Sequence, residues 1–447
     1  MTTNRSVSPV RPSDRVELLD VMRGVAVCGM LTTNILVMGT VGKTQGRAFP
    51  AGWDADWIAW AVQRALFDSI ARGLFTILFG AGMLMMLRKA EGPDAQIAPI
   101  DVWSRRCLAL LFLGVLNFAL LMWPAEILWT YGCAGLALLA FRTAKVRTLW
   151  VWSLAIIACL SLHGGYEASN RVATFQTALQ GERAIEAGRE PTKEQRVALE
   201  AAAAARASPY PGDETLSAEI RQRTGFPGVF IWSAKEWSSR HLGLGGWITL
   251  AESFAFMLAG MALYRSGVLV GLATARTYWS LLLLGGGIGL GLRIADLAWQ
   301  ARTGFELDIH RINPAMSLLR SAWYQPARLA LTLGCLGLIA LLLRAGVRAW
   351  TPPFRAMGRL ALTNYTLQSA LGAVLFYALG YVGYFGAAGL MGIAAGICIV
   401  TAVFSLLWLR RFANGPLELL LRKAIDRSFS VGRRRQAAEA IERSPPV

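Results

Sequence analysis

The sequence predicts an all-α integral membrane protein, a polytopic bundle of about ten transmembrane helices with both termini in the cytoplasm. Long apolar segments recur through most of the 447 residues, of which 55% are hydrophobic and only 16% charged. The mean hydropathy of +0.43 is typical of a chain embedded in lipid. A transmembrane helix needs about 20 predominantly apolar residues. The candidate spans are 18–39, 70–88, 105–123, 126–141, 149–163, 247–264, 278–295, 327–343, 360–379 and 387–409.

Lysine and arginine fall mostly on one of the two sides that these spans would separate. The net charge is +17, and ten spans place the basic clusters, such as 88–89, 105–106 and 433–435, on the same side. Basic loops face the cytoplasm under the positive-inside rule. A nucleic-acid binder would instead collect these charges on one soluble face. The charge therefore predicts a membrane orientation and no nucleic-acid partner.

Four regions follow from this topology. We expect a five-span bundle at 1–163, an extracytoplasmic region at 164–246, a second five-span bundle at 247–409, and an interfacial helix with a basic tail at 410–447. The segment 194–207 is rich in strong helix formers, which favours a helical cap, although a plain spacer loop is an equal alternative. Membrane lipid is the expected partner of the C-terminal region, because its apolar and basic residues suit an interface.

The first span contains two charged residues, Asp20 and Arg23. A charge within a span is costly and tends to face the bundle interior or a water-filled cavity. The two residues are three apart and share a helical face, so they can neutralise each other. Arg23 can also extend its head group to the nearby interface. A structural and a substrate-binding role both stay open.

Other polar residues lie within later spans and are candidates for a central cavity. They are Glu252, Arg293, Asn364 and Gln368. A carboxylate facing lipid would be expensive, so Glu252 is expected to face the interior. Asn364 and Gln368 are four apart and share a face, but they can equally form hydrogen bonds between helices.

Four stretches in chain order resemble the YeiB-like family of bacterial membrane proteins, which is defined by an uncharacterised domain. They are LLDVMRGVAVCGMLTTN (18–34), RRCLALLFLGVLNFALLMWPAEILWTYG (105–132), GRLALTNYTLQS (358–369) and WLRRFANGPLELLLRKA (408–424). The resemblance extends over nearly the whole chain and implies a multi-pass protein of the bacterial cytoplasmic (inner) membrane. Through the Asp-x-x-Arg-Gly pattern of the first span, the family is distantly similar to transmembrane acyltransferases of the glucosaminide acetyltransferase and sugar O-acyltransferase types.

The chain departs from these relatives at two positions. In the sugar O-acyltransferases a histidine follows the arginine by eleven residues, and here that position is Asn34. Asn117 stands where YeiB-like proteins usually have a histidine. Glu126 stands where they have an aspartate in the following hairpin, so an acidic residue is retained there. An amide forms hydrogen bonds but cannot accept a proton from a hydroxyl nucleophile as imidazole can. We therefore assign Asn34 and Asn117 to substrate binding and Glu126 to catalysis.

Three histidines remain as proton acceptors. His310 follows Asp308 by two residues, and such a pair is what an oriented base requires, so these two are the further catalytic candidates. His163 and His241 also lie near the outer face. We interpret them as structural, because a histidine without a placed partner is not a base.

The resemblance implies transfer of an acyl group from a cytoplasmic acyl-CoA, such as acetyl-CoA, to a hydroxyl or amine of a sugar or lipid at the outer face. Arg105 and Arg106 would then contact the phosphates of the acyl-CoA. The alternative is a transporter or flippase for a small or lipid-linked metabolite, since buried charges also suit binding without chemistry. A third alternative is a binding or scaffolding protein. No metal is expected, because the six cysteines lie in apolar segments without a CxxC pattern.

Overall fold

The computed structural model describes residues 12–41, 54–68, 70–90, 98–207, 212–302 and 313–423. These residues contain helices and connecting turns and no β-strand, which confirms the all-α prediction. The helices up to the middle of the chain are α1 (Pro12–Gly39), α2 (Ala55–Leu66), α3 (Ile70–Ala90), α4 (Pro99–Leu121), α5 (Leu128–Ala137), α6 (Val146–Glu186), α7 (Lys193–Ala207), α8 (Asp213–Arg223) and α9 (Gly228–Leu242). The later ones are α10 (Leu244–Arg265), α11 (Ala275–Ser280), α12 (Gly287–Arg302), α13 (Pro314–Arg344), α14 (Thr351–Arg359), α15 (Ala361–Ala373), α16 (Ala387–Trp408) and α17 (416–423).

Eight helical segments among the described residues are long and apolar enough to cross a membrane. They are Glu17–Gly39, Ala55–Arg88, Pro99–Leu121, Val146–Glu186, Leu244–Arg265, Ala275–Arg302, Pro314–Arg344 and Ala387–Trp408. The two other predicted spans correspond to a shorter apolar helix, Leu128–Phe141, and to α15 with the π-helical turn Val374–Ala378 that extends it. The polytopic helical bundle is thus confirmed, while a count of ten crossings stays a prediction.

The first span packs against α14 with direct contact between the two backbones. A Cβ atom on Gly24 would overlap the carbonyl group of Phe354, and one on Gly358 would overlap that of Asp20. Small residues allow helices to approach this closely in a membrane. The glycine of the Arg-Gly pattern therefore has a packing role, and the close crossing holds Arg23 beside the start of α15.

Helices α3 and α10 cross in the same way. A Cβ atom on Gly80 would overlap the carbonyl group of Met257, and one on Gly260 would overlap that of Ile77. This contact fixes the relative positions of the two helices along their length. It brings Arg72, near the start of α3, to Glu252 on α10, a pair described below.

The described residues of 164–246 are largely helical, and we call this region the cap, while its extracytoplasmic position stays a prediction. Helix α6 runs without a break through the predicted boundary at residue 163, and α10 begins at Leu244, so both predicted boundaries lie at or inside helices. Helix α7 packs back on α6, and α9 packs against α4 and α10. Helix α6 therefore continues from the membrane bundle into the cap without interruption.

Arg223 at the end of α8 attaches the cap to the first span. Its guanidinium donates to the carbonyl oxygens of Thr40 (2.5 Å), Met38 (2.6 Å) and Val37 (3.0 Å). The last carbonyl groups of a helix lack intrahelical partners, and a cation there also interacts favourably with the negative end of the helix dipole. The side chain is 2% exposed, and its guanidinium lies 4.5 Å from the ring centroid of Trp232.

Helix α17 is the described part of the predicted C-terminal interfacial helix, and it docks on the bundle. Glu418 accepts hydrogen bonds from the backbone N–H groups of Leu362 (2.8 Å) and Thr363 (3.1 Å) at the start of α15. These amides would otherwise be unpaired, so Glu418 acts as a cap from a distant part of the chain. Residues 424–447, with the basic tail, lie outside the described residues.

Candidate active site

A cavity of about 480 Å³ lies where α3, α5, α9 and α10 meet, and we call it the outer cavity. Its wall carries polar side chains from four helices and from the hairpin before α5. They are Arg72, Glu126, Thr130, Tyr131, Ser239, Arg240, His241, Thr249 and Ser253. Under the predicted topology this cavity faces the extracytoplasmic side. Its hydroxyl, guanidinium and carboxylate groups suit a polar ligand.

The outer cavity contains a carboxylate–imidazole pair. Nε2 of His241 lies 3.4 Å from Oε1 of Glu126 and 3.0 Å from the backbone carbonyl oxygen of Glu126. Nδ1 of His241 lies 3.0 Å from the carbonyl oxygen of Trp237. Both ring nitrogens therefore face acceptor atoms, and the ring can donate a hydrogen bond to either of them. The pair has the geometry of an oriented acid–base couple.

The hairpin between α4 and α5 places Glu126. Met122 adopts a left-handed conformation (φ 49°), which turns the chain after α4. Oε2 of Glu126 then accepts hydrogen bonds from the backbone N–H groups of Leu128 (2.7 Å) and Trp129 (3.1 Å), the first residues of α5. A carboxylate at a helix N-terminus is favourable both as a cap and for the helix dipole. A Cβ atom on Gly114 would meet this carboxylate, so the glycine makes room for it.

Aromatic rings fix the orientation of His241. Its ring stacks on Trp237, one turn earlier on α9, at a centroid distance of 4.9 Å. Trp237 in turn stacks on Phe118 of α4 (5.2 Å) and meets Trp129 of α5 edge-on (5.4 Å). The cap helix α9 therefore positions the imidazole through contacts with two helices of the bundle.

The predicted span started at residue 126, but the structure begins α5 at Leu128, so Glu126 lies in the hairpin outside the helices that could cross a membrane. Burial raises the pKa of this carboxyl above the ordinary value for glutamate, and the charge of His241 and the hydrogen bonds from Trp129, Leu128 and Trp237 oppose that rise. A general base works best when its pKa approaches the working pH. The burial of Glu126 moves its pKa in that direction.

A buried charge network adjoins the outer cavity. Glu252 accepts from Arg72 (2.6 Å) and Arg328 (2.6 Å), and Nε2 of Gln325 donates to the same carboxylate (3.0 Å). Two guanidinium groups thus share one carboxylate, which leaves an excess positive charge. The side chain of Arg328 is 1% exposed, whereas that of Arg72 is 29% exposed and lines the outer cavity. The excess charge is therefore accessible to a ligand through Arg72.

A second cavity, of about 640 Å³, lies among α1, α3, α4, α5, α14, α15 and α17, and we call it the inner cavity. Its body is apolar and includes Phe75, Leu78, Phe79, Met85, Met86 and Leu110. Four arginines also line it: Arg23, Arg106, Arg359 and Arg422. Under the predicted topology the last two lie at the cytoplasmic end. An apolar body with cationic groups suits an amphiphilic anion.

Two residues, Ile127 and Tyr131, line both cavities. The hydroxyl group of Tyr131 lies 2.5 Å from that of Thr76 on α3, and the ring packs on Phe75 and Phe79. The backbone N–H of Ile127 donates to the hydroxyl group of Tyr365 (3.2 Å). The partition between the cavities is therefore one layer of side chains, and Glu126 is next to it in the sequence.

Comparisons with known proteins find one family that matches the C-terminal part of the chain and relatives that match most of its length. A family described as a protein of unknown function (DUF418) matches residues 263–428. The chain is 28% identical to the uncharacterised protein YxaH of Bacillus subtilis (94% of this chain, 96% of the relative) and 26% identical to the uncharacterised protein YeiB of Escherichia coli (92% and 96%). The resemblance to the YeiB-like family is confirmed. No solved structure matches the chain at a significant level.

The two cavities are lined by three of the predicted site residues, which were identified from the YeiB-like resemblance or from the span analysis. Glu126 lines the outer cavity, and Arg23 and Arg106 line the inner one. Asp20 binds Arg23 at 3.1 Å, as their spacing predicted. The guanidinium of Arg106 lies 5.7 Å from the ring centroids of both Phe79 and Trp103, and its Nε has no hydrogen-bond partner among the described residues.

Glu252 and Asn117 are buried beside these cavities. Glu252 faces the bundle interior, and both of its carboxylate oxygens bind arginines of the charge network. Asn117 lies one turn beyond Gly114 on α4, and neither atom of its amide has a hydrogen-bond partner among the described residues. A buried unpaired amide is costly and marks a place where a ligand or water would be favoured.

The remaining predicted binding residues do not line either cavity. Arg293 binds the backbone carbonyl of Arg64 (2.7 Å) and Asp68 (3.4 Å) instead. The amide of Asn364 donates to Ser405 on α16 (2.8 Å) and is fully buried, so it joins two helices. The others outside the cavity walls are Arg105, Asn34, which is half-buried, and Gln368, which is buried.

The histidine that the sequence favoured cannot be placed. His310 and Asp308 lie outside the described residues. The structure instead pairs His241, which the sequence marked as structural, with Glu126 across 115 residues. Arg72 and Tyr131 were also missed. Trp237 and His241 lie one helical turn apart, and this spacing could have indicated that the histidine ring is held in place. Nothing in the local sequence indicated that α9 would pack against the hairpin that carries Glu126.

Proposed function

We propose that this protein is a membrane-embedded acyltransferase with its reaction centre at the partition between the two cavities. One observation carries the proposal: an apolar cavity with cationic groups and a polar cavity meet at Ile127 and Tyr131, beside the Glu126–His241 pair. Such an arrangement lets two substrates approach from opposite sides of the membrane under the predicted topology. The catalytic residues need not move for the two substrates to meet.

The inner cavity would hold the acyl donor. An acyl-CoA has an apolar acyl chain and a strongly anionic phosphate region. The methionine and phenylalanine side chains of the cavity suit the chain, and Arg359 and Arg422 suit phosphates at the cytoplasmic end. Arg106, in the same wall, would contact the phosphates as well.

The outer cavity would hold the acceptor, a sugar or lipid with a free hydroxyl or amine. Glu126 would take the proton from the acceptor hydroxyl while its oxygen attacks the thioester carbonyl carbon. A new C–O bond forms, the C–S bond breaks, and the thiolate leaves and takes up a proton. His241 would orient Glu126 and keep its charge paired, and Arg72 and Tyr131 would supply donors for the oxyanion.

A transporter or flippase is the second candidate, and the partition itself favours it. A single layer of side chains between two cavities is also what a gate in a transport pathway requires. In that case Glu126, His241 and Arg72 would bind the transported molecule without bond-making. Consumption of acyl-CoA distinguishes the two candidates.

The test uses purified full-length protein with labelled acetyl-CoA and labelled palmitoyl-CoA, in the presence of bacterial lipid and polysaccharide extracts. The acyltransferase proposal predicts saturable binding and a labelled acyl product. Glu126→Gln should keep binding and lose the product, and Arg106→Gln should weaken binding. Absence of both binding and product would overturn the proposal. Metabolite flux in proteoliposomes without acyl-CoA use would support the transporter instead.

A further inference from the structure

A third cavity, of about 930 Å³, lies at the other end of the bundle from the cap, and we call it the basic cavity. It is formed by the ends of α3 and α10, the starts of α4 and α6, and the turn before α6. Among the described residues it shares no lining residue with the inner or outer cavity. Under the predicted topology it opens to the cytoplasm, and the proposed acyl transfer does not use it.

Four cationic side chains line the basic cavity, and none of its lining residues within the described ranges is acidic. The four are Arg88, Arg142, Lys145 and Arg265. None of the four forms an ion pair with a carboxylate in the part of the chain that the structure describes. Like charges gathered around one cavity repel each other, and the repulsion is relieved by a bound anion.

The arginine side chains are held in place by neutral groups. Nη2 of Arg265 donates to the carbonyl oxygen of Arg142 (2.5 Å), and Nη1 of Arg142 donates to that of Leu139 (3.2 Å). The guanidinium of Arg88 lies 6.0 Å from the ring centroid of Tyr264. These contacts order the cations at the cavity without neutralising them. An ordered cationic site loses less entropy when it binds an anion.

The N-terminus of α6 adds to the positive potential, whereas Asp101 in the first turn of α4 offsets that of α4. Helix α4 begins at Pro99 and α6 at Val146, and both residues line the basic cavity. Neither helix has a side-chain cap, since Ala98 and Lys145 at the cap positions provide no acceptor. A helix N-terminus carries a partial positive charge and unpaired N–H groups, which favour anions.

We propose that the basic cavity is a binding site for phosphate groups, separate from the reaction centre. A phosphate has the negative charge and the multiple acceptor oxygens that several cations and free amides can bind together. Two sources share this chemistry: the headgroup of an anionic phospholipid and a soluble compound with a phosphate or pyrophosphate group. The apolar side chains Leu84, Leu87 and Ile100 in the same wall accommodate the carbon skeleton of either source.

The positive-inside rule alone explains why the cations are on this side, but it does not require them to form a ligand site. Arg147 allows the two explanations to be separated. It lies two residues after Lys145 at the same helix end and is exposed, and it does not line the cavity. Arg147→Gln therefore makes the same charge change as Lys145→Gln, outside the site.

The experiment compares the wild-type protein with Arg88→Gln, Lys145→Gln and Arg147→Gln. In one arm, detergent-purified protein is titrated with pyrophosphate and its thermal unfolding is followed. In the other, the protein is reconstituted with phosphatidylcholine, with and without phosphatidylglycerol, and retained lipid is measured by mass spectrometry. Arg142 and Arg265 are left unchanged, because they hydrogen-bond to helix ends and their loss would perturb the fold.

We expect Arg88→Gln and Lys145→Gln each to weaken binding about fivefold, the effect of one cation near a charged ligand, while Arg147→Gln binds as the wild type does. Stabilisation by pyrophosphate would identify a soluble phosphate compound as the source. Selective retention of phosphatidylglycerol alone would identify a lipid headgroup. The proposal is overturned if neither probe binds, or if all three variants respond equally.

Discussion

Nε2 of His241 lies 3.4 Å from Oε1 of Glu126, although the two residues belong to different parts of the protein. His241 is on the last helix of the cap, and Glu126 is in a hairpin of the N-terminal bundle. The acid–base pair therefore exists only when the cap is docked. This makes the cap part of the candidate active site.

Glu126→Gln should lower acyl transfer by about 10²- to 10⁴-fold, the range attributed to general acid–base catalysis. The substitution keeps the shape of the side chain and its ability to accept hydrogen bonds, but it removes the proton acceptor. Product formation with labelled acyl-CoA is the measurement. Glu190→Gln, on a side chain that is 91% exposed in the cap, is the matched control. Full activity of Glu126→Gln would exclude Glu126 as the base.

The activity should fall at low pH with a midpoint above the ordinary pKa of glutamate. Burial raises the pKa of Glu126, so the carboxyl is protonated, and unable to accept a proton, at pH values where an exposed glutamate is still ionised. The measurement is the pH dependence of kcat/KM, which reports groups of the free enzyme. His241→Gln removes the opposing positive charge and should move this midpoint further up. A midpoint in the ordinary glutamate range would contradict the assignment.

Glu252→Gln should destabilise the protein by about 3–5 kcal/mol, because it leaves Arg72 and Arg328 without their shared counter-ion in a buried site. Arg72→Gln should cost less, since Arg328 and Gln325 still pair with the carboxylate. Thermal unfolding in detergent gives the order of the two effects. Equal or reversed effects would show that the network does not share one carboxylate as described.

Gly82→Leu should fill the inner cavity and block donor binding without unfolding the protein. Gly82 lines that cavity, and a Cβ atom there would have no atom of the described residues within 4 Å. Gly80→Leu, two residues earlier, would collide with the backbone of Met257 and should prevent folding. Gly396→Leu is the control, because this glycine also has open space but lies on α16, outside the cavity. Unchanged acyl-CoA binding by a folded Gly82→Leu would place the donor elsewhere.

Arg223→Leu should release the cap from the first span and reduce activity, because the three carbonyl groups at the end of α1 lose their donor. Released, the cap would no longer hold His241 beside Glu126. Limited proteolysis should cut the cap faster, in parallel with the loss of product. Arg189→Leu, on an exposed arginine of the cap, is the control and should leave both unchanged. Rapid cleavage with full activity would show that cap docking is not needed.

Local features of the sequence were sufficient for the fold class and for part of the site. Apolar segments of membrane-crossing length predicted the helices, because backbone groups in lipid must be satisfied within a helix. The spacing of Asp20 and Arg23 predicted their contact, because residues three apart share a helical face. Glu126 was identified through the family resemblance, and it lines the outer cavity.

Only the tertiary structure decided which polar residues act together. Asn364 and Glu252 look alike as polar residues in apolar helices, yet one joins two helices and the other binds two arginines beside a cavity. The contact of His241 with Glu126 spans 115 residues and depends on how α9 packs on α4 and α10. Helical periodicity fixes the face on which a residue lies, but the partner of that face is set by packing between distant helices, and no local pattern encodes it.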